Sequence, residues 1–169
     1  MPSAFSPVKV WSVLLGAFVL GACSGGYSAD DPPAVCSTNK TWTNGDKGSV
    51  LMHPGGECNT CHSQGEGPAL AIAGTVMGAT NDDTNCDGVS GVTVEITDKT
   101  GQKITLLTNV AGNFSTSDHG GPTITFPITA KVISGGKELA MTTPQNTGDC
   151  NTCHGAVGTN GAPGRLTVP

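Results

Sequence analysis

The sequence predicts a mainly β fold: one small domain of about six strands flanked by two Gly-rich loops. Short runs rich in Thr and Val follow one another from residue 70 onward, the composition of half-buried pleated surface. Between them stand hairpin signals: Asp98-Lys99-Thr100-Gly101, Ala111-Gly112-Asn113 and Gly135-Gly136. Beyond the first 22 residues no segment keeps a helical period.

The chain begins with a short segment whose only charge is Lys9, followed by the apolar stretch Val10 to Leu20. This has the form of a signal peptide and is too short to span a bilayer, which needs about 20 apolar residues. Leu20-Gly21-Ala22-Cys23 resembles the lipobox of bacterial lipoproteins. The resemblance implies cleavage after residue 22 and acylation of Cys23, with Ser24 directing the protein to the outer membrane. Ordinary secretory cleavage near Ala22 would instead leave Cys23 as a thiol. The chain is expected to be exported and lipid-anchored, on the periplasmic face or the cell surface. Losing Lys9 takes the formal net charge of −5 one unit further negative. Such a surface disfavours nucleic acid and suits a basic redox protein or another envelope electron acceptor.

Residues 23–50 are polar and turn-rich and read as a tether that becomes ordered near Cys36 or Trp42. Residues 51–69 and 144–169 hold the two loops, with the strand block at 70–143 between them. Its runs are 71–77, 92–98, 103–109, 113–117, 123–134 and 137–143, and Val92 to Thr97 alternates with period two. Pro127 inside the fifth run predicts an edge strand or a bulge. The stretches Gly74-Thr75-Val76, Gly91 to Asp98, and Thr108-Asn109 to Phe114 resemble the carboxypeptidase-regulatory-like (transthyretin-like) β-sandwich family over about 70 residues. The resemblance implies a non-catalytic scaffold. If six strands run up and down, the last ends where the first began, and the two loops meet at one end. With aromatic residues at 4%, the core is thin, and covalent cross-links would help it hold a shape.

Each loop carries one copy of a motif. Gly56-Glu57-Cys58-Asn59-Thr60-Cys61-His62 and Gly148-Asp149-Cys150-Asn151-Thr152-Cys153-His154 are near-copies. Chance predicts under ~0.01 CxxCH matches in a chain of this composition, so two copies carry information. Two thiols three positions apart reach the two vinyl groups on one edge of a porphyrin, and the next residue offers its imidazole to the iron. The pattern is that of c-type cytochromes: thioethers from Cys58, Cys61, Cys150 and Cys153, and proximal ligands His62 and His154. A Cys₄ zinc site would use the same cysteines and leave both histidines unexplained. A thioredoxin-like CxxC expects a βαβ context that is missing here.

Seven cysteines are an odd number for an exported chain. With one acylated and four attached to haem, Cys36 and Cys86 remain, a natural disulfide pair outside the cytoplasm. Four histidines leave His53 and His119 as distal ligands, and Met52 and Met141, just upstream of the two motifs, compete with them. For the first haem the choice between Met52 and His53 stays open. For the second, Met141 stands ahead of His119, whose setting reads as a polar turn. Met77 reads as core. Asp83 to Gly88 matches the first half of a calcium loop, but Val94 stands where the twelfth-position Glu belongs, and an acidic turn is preferred. Arg165 is either a partner for a haem propionate or an ordinary solvated arginine.

The expectation is a lipid-anchored carrier of two covalent haems that passes single electrons and transforms no substrate. A dihaem peroxidase or reductase is the alternative, and it needs an open iron position and acid–base groups. A structural lipoprotein without a redox role is the third.

Overall fold

The computed structural model describes residues 50–51, 53–65, 67–78, 88–117 and 119–169. The expectations placed on residues 1–22, Cys23, Cys36, Cys86, Met52 and the acidic turn at 83–87 lie outside these residues.

The described chain is mainly β. A one-turn helix, α1 (Cys58–His62), precedes β1 (Leu70–Met77), β2 (Thr93–Thr97), β3 (Lys103–Leu107), β4 (Asn113–Ser117), β5 (Thr129–Ser134) and β6 (Lys137–Ala140). A 3₁₀ turn at Cys150–Thr152 and β7 (Leu166–Thr167) complete it. The strands form two sheets, ordered β4-β1-β7 and β3-β2-β5-β6.

In β2 the predicted alternation holds. Val94 and Ile96 are buried, while Thr93, Glu95 and Thr97 are half-exposed. On that outer face Lys103 and Lys131 reach Glu95 at 3.0 and 3.4 Å. Such exposed pairs favour the register of β2 with its neighbours and add little stability. The inward side chains of both sheets share one core: Ile72 and Val76 from β1, Val94 and Ile96 from β2, Phe114 from β4 and Val132 from β5. Each buried aliphatic side chain contributes about 1.5–3 kcal/mol.

Three turns are set by side chains. Asn109 Oδ1 accepts from the amides of Ala111 and Asn113 at 2.9 and 3.1 Å, closing the β3–β4 connection. Thr108 Oγ1 accepts from Val92 N and donates to Val89 O. Asp98 Oδ1 accepts from Thr100 N, Thr100 Oγ1 and Gln102 N, while Oδ2 accepts from Thr125 N. One carboxylate thus ties the β2–β3 turn to the segment that leads into β5.

Four expectations need correction. Among the described residues there are seven strands, because Leu166–Thr167 pairs in parallel with Val76–Met77, and two residues are too short for any period to reveal. The fifth run becomes a strand only at Thr129. Pro127 lies just before that strand, and β5 is internal to its sheet, so Pro127 marks neither an edge strand nor a bulge within it. The first motif forms a helical turn, with Ser63 N donating to Asn59 O at 3.1 Å. Finally, the strands do not run simply up and down. The first six divide between two sheets, with β1 and β4 paired antiparallel across the sequence.

β1 decides the architecture. Six of its eight residues, Ile72 to Met77, are buried without alternation, which requires cover on both faces. The core provides one. The segments around the two CxxCH motifs provide the other.

Candidate functional site

The two motifs meet over β1. The first enters β1 directly from α1. The second lies beside β1 because Ala73 N donates to Gly148 O at 2.9 Å, and Ala73 and Asp149 form an isolated parallel bridge. Gly148 is needed there: a Cβ would overlap the Ala71 carbonyl. Thr75 serves both segments. Its Oγ1 accepts from Gly55 N at 2.9 Å and from Asn151 Nδ2 at 3.1 Å, and it donates to Asn113 Oδ1 at 2.8 Å.

Direct bonds then join the motifs. Asp149 Oδ2 accepts from Asn59 N at 2.7 Å, and Asn151 Nδ2 donates to Gly56 O at 2.7 Å. The same amide lies 4.0 Å from Cys58 Sγ. The two segments therefore do gather at one place, but the reason differs from the strand-parity argument. Both are hydrogen-bonded to one central strand.

The two motif histidines are held alike. His62 Nδ1 lies 2.6 Å from Pro68 O, and His154 Nδ1 lies 2.8 Å from Gly164 O. A carbonyl oxygen only accepts, so Nδ1 carries the proton in each ring. In the neutral imidazole the lone pair is then on Nε2, the arrangement a metal-ligating histidine needs. The first ring also requires Gly67, where a Cβ would press against His62 Nδ1 and Cε1.

Beside the second motif lies a cavity of about 320 Å³. Cys150, Cys153 and His154 line it, and Phe114, Ile128 and Val132 supply apolar wall from the core side. Met141 and Arg165 also line it. Arg165 is buried, only 6% exposed, so the reading as an ordinary solvated arginine is overturned: the segment 161–166 folds it inward. His119 is not on this wall; it sits exposed in a polar turn where its amide donates to Ser117 Oγ at 3.0 Å. His53 adopts a left-handed backbone, φ 43°, in a tight turn where its carbonyl accepts from Gly56 N. Met77 is core, 1% exposed.

Cys58, Cys150 and Cys153 are free thiols. Burial, with a smaller contribution from the Asp149 charge, pushes Cys58 and Cys150 up to about 12. At neutral pH both are protonated. Cys61 is disulfide-bonded to a partner outside the described residues. One sulfur cannot hold both a disulfide and a thioether, so covalent attachment of a haem at the first motif requires Cys61 reduced.

Among the described residues no group of three His, Cys, Asp or Glu is arranged to hold a metal ion. The second motif offers the groups a haem would use: paired thiols, an oriented Nε2, an apolar hollow and a buried arginine on its wall. Among the described residues no helix is long and apolar enough to cross a membrane. No family model, no curated protein and no solved structure matches this chain.

Two residues of the site were not singled out from the sequence, Asp149 and Asn151. Their only signal was the near-identity of the motifs, which gave no hint that one copy would reach across to the other.

Proposed function

We propose that the protein is a dihaem c-type cytochrome that acts as an electron carrier of the cell envelope, anchored by lipid at Cys23. The observation that carries this reading is the matched orientation of His62 and His154, each with Nδ1 given to a backbone carbonyl and Nε2 left for iron. Two copies of CxxCH already stand well above chance. Two copies whose histidines share the same tautomer-fixing bond are harder to explain otherwise.

Bound haem would supply an iron that cycles between Fe(III) and Fe(II). The chain's own groups do the rest. Cys58 with Cys61 and Cys150 with Cys153 tether the two cofactors through thioethers, with both thiols of each pair reduced. The Pro68 and Gly164 carbonyls hold the imidazoles and raise their basicity as ligands. Met141 is the candidate sixth ligand at the second site, where a thioether sulfur raises the potential relative to a second imidazole. Arg165 offers a guanidinium to a propionate. At the first site Met52 and His53 remain the two candidates. The β body serves as a scaffold, in keeping with its resemblance to carboxypeptidase-regulatory-like modules. A thioether beside the second motif favours a filled coordination sphere and a carrier over a peroxidase.

The test is expression with cytochrome c maturation machinery, followed by a pyridine haemochrome count and a reduced-minus-oxidised spectrum. Two haems per chain are expected. A chain that matures and exports without a Soret band overturns the reading.

A further inference from the structure

The two motifs are near-copies in sequence, yet the structure uses them unequally. In the first, Glu57 is exposed and its Oε2 accepts from Thr60 Oγ1 at 3.3 Å, while Asn59 Nδ2 donates to Leu70 O at 3.3 Å. Neither of these bonds reaches the second motif. In the second, the matching residues reach across to the first motif. Asn151 is 2% exposed; its Nδ2 donates to Gly56 O and Thr75 Oγ1, and its Oδ1 accepts from Thr75 N at 3.1 Å. Asp149 Oδ2 takes the amide of Asn59. The backbone is thereby gripped on both sides of Cys58, at Gly56 and at Asn59, by side chains that belong to the other motif.

We infer that Asn151 and Asp149 are positioning residues for the first haem site, supplied by the second motif, so that the two sites form one unit with a one-way dependence. The chemistry suits the task. A buried primary amide donates and accepts at once, so one Asn151 side chain serves both Gly56 O and Thr75 N. The carboxylate of Asp149 accepts from Asn151 N at 3.2 Å as well as from Asn59 N, which sets it between the two turns. Glu57 is the exposed N-cap residue of α1, and its carboxylate accepts from Thr60 of its own motif. Part of this inference, the effect on a haem, rests on the carrier reading above; the clamp itself does not.

The experiment has two arms. In the dihaem protein, Asn151→Ala is compared with its counterpart Asn59→Ala by potentiometric titration and by EPR of the oxidised haems, with His62→Ala marking which signals belong to the first site. Asn151→Ala is expected to move the potential and EPR signature of the first haem, and Asn59→Ala to leave the second haem unmoved. In the chain without haem, amide exchange at Thr75 is expected to rise about tenfold or more in Asn151→Ala. If that variant does not fold, Asp149→Asn, which keeps one acceptor oxygen for two amides, is expected to speed exchange at Asn59 or Asn151. A folded Asn151→Ala with an unchanged first-haem signature overturns the positioning role, and unchanged exchange at Thr75 overturns the clamp. If no haem attaches at all, the carrier reading fails, and the exchange arm still decides the clamp.

Discussion

Replacing Asp149 with Ala removes two hydrogen-bond acceptors at once, whereas Glu57→Ala removes one exposed and long contact. Asp149 is 3% exposed and bonds the amides of Asn59 and Asn151 at 2.7 and 3.2 Å; it also caps the 3₁₀ turn. Two lost bonds to a carboxylate, one of them leaving the amide of buried Asn151 without its acceptor, cost about 2–4 kcal/mol. For a domain of this size that lowers Tm by roughly 8–16 °C. Glu57→Ala is expected to cost no more than about 0.5 kcal/mol. Burial raises the Asp149 carboxyl above its ordinary range, so the charged form is the one the fold disfavours. The stability linked to this group is complete below the unfolded carboxyl value and is lost as pH rises through the raised folded value. Asp149→Asn should abolish that dependence and keep part of the bonding. Urea unfolding of the three variants across the pH range measures all of this. Equal losses for Asp149→Ala and Glu57→Ala would refute the claim that the near-copies play unequal parts.

Four further outcomes are expected. Met141→Ala should remove the near-infrared charge-transfer band of the second haem and lower its potential, and His119→Ala should change neither; spectroelectrochemistry reads both. Asp98 is held below the usual carboxylate range, first by its bond from Thr100 Oγ1 and then by the amides of Thr125, Gln102 and Thr100. Its stabilising effect is present above the unfolded carboxyl value and fades as pH falls through the folded one, so Asp98→Asn should flatten the acid limb of the stability curve. Ile96→Ala, at a fully buried site, should cost about 2–5 kcal/mol in urea unfolding without altering the haem count. Intact-mass analysis should find two haems only in chains whose Cys61 is free of its disulfide; a chain carrying both haems and that disulfide would contradict thioether attachment at Cys61.

Much of the fold was legible because a strand's period is two and needs only a few residues. Four of the predicted runs contain β2, β3, β4 and β6, the run 71–77 covers β1 but for Leu70, and Thr129–Ser134 lies inside the fifth run. The strand missed was Leu166–Thr167, whose pairing with Val76 and Met77 depends on chain returning from far along the sequence. The site was legible in its atoms and not in its arrangement. Cys58, Cys61, His62, Cys150, Cys153 and His154 stand out by spacing alone, because the reach of two thiols and an imidazole across a porphyrin is a local constraint.

What the sequence by itself determined is the list of reacting groups, the β body between them and an unbroken apolar stretch at 71–73 in β1. What only the tertiary structure decided is who serves whom. Met141 and Arg165 reach the cavity at the second motif, while His119 stays in a turn. The side chains of Asp149 and Asn151 bond to the first motif, while those of Glu57 and Asn59 bond to Thr60 and Leu70. Nothing local distinguishes Asn59 from Asn151, since both stand between Cys and Thr in the same pattern. The difference arises from β1, which takes the first motif at its entrance and the second along its side. A hydrogen bond depends on where its partner is in space, and that position is fixed only when the strands have paired.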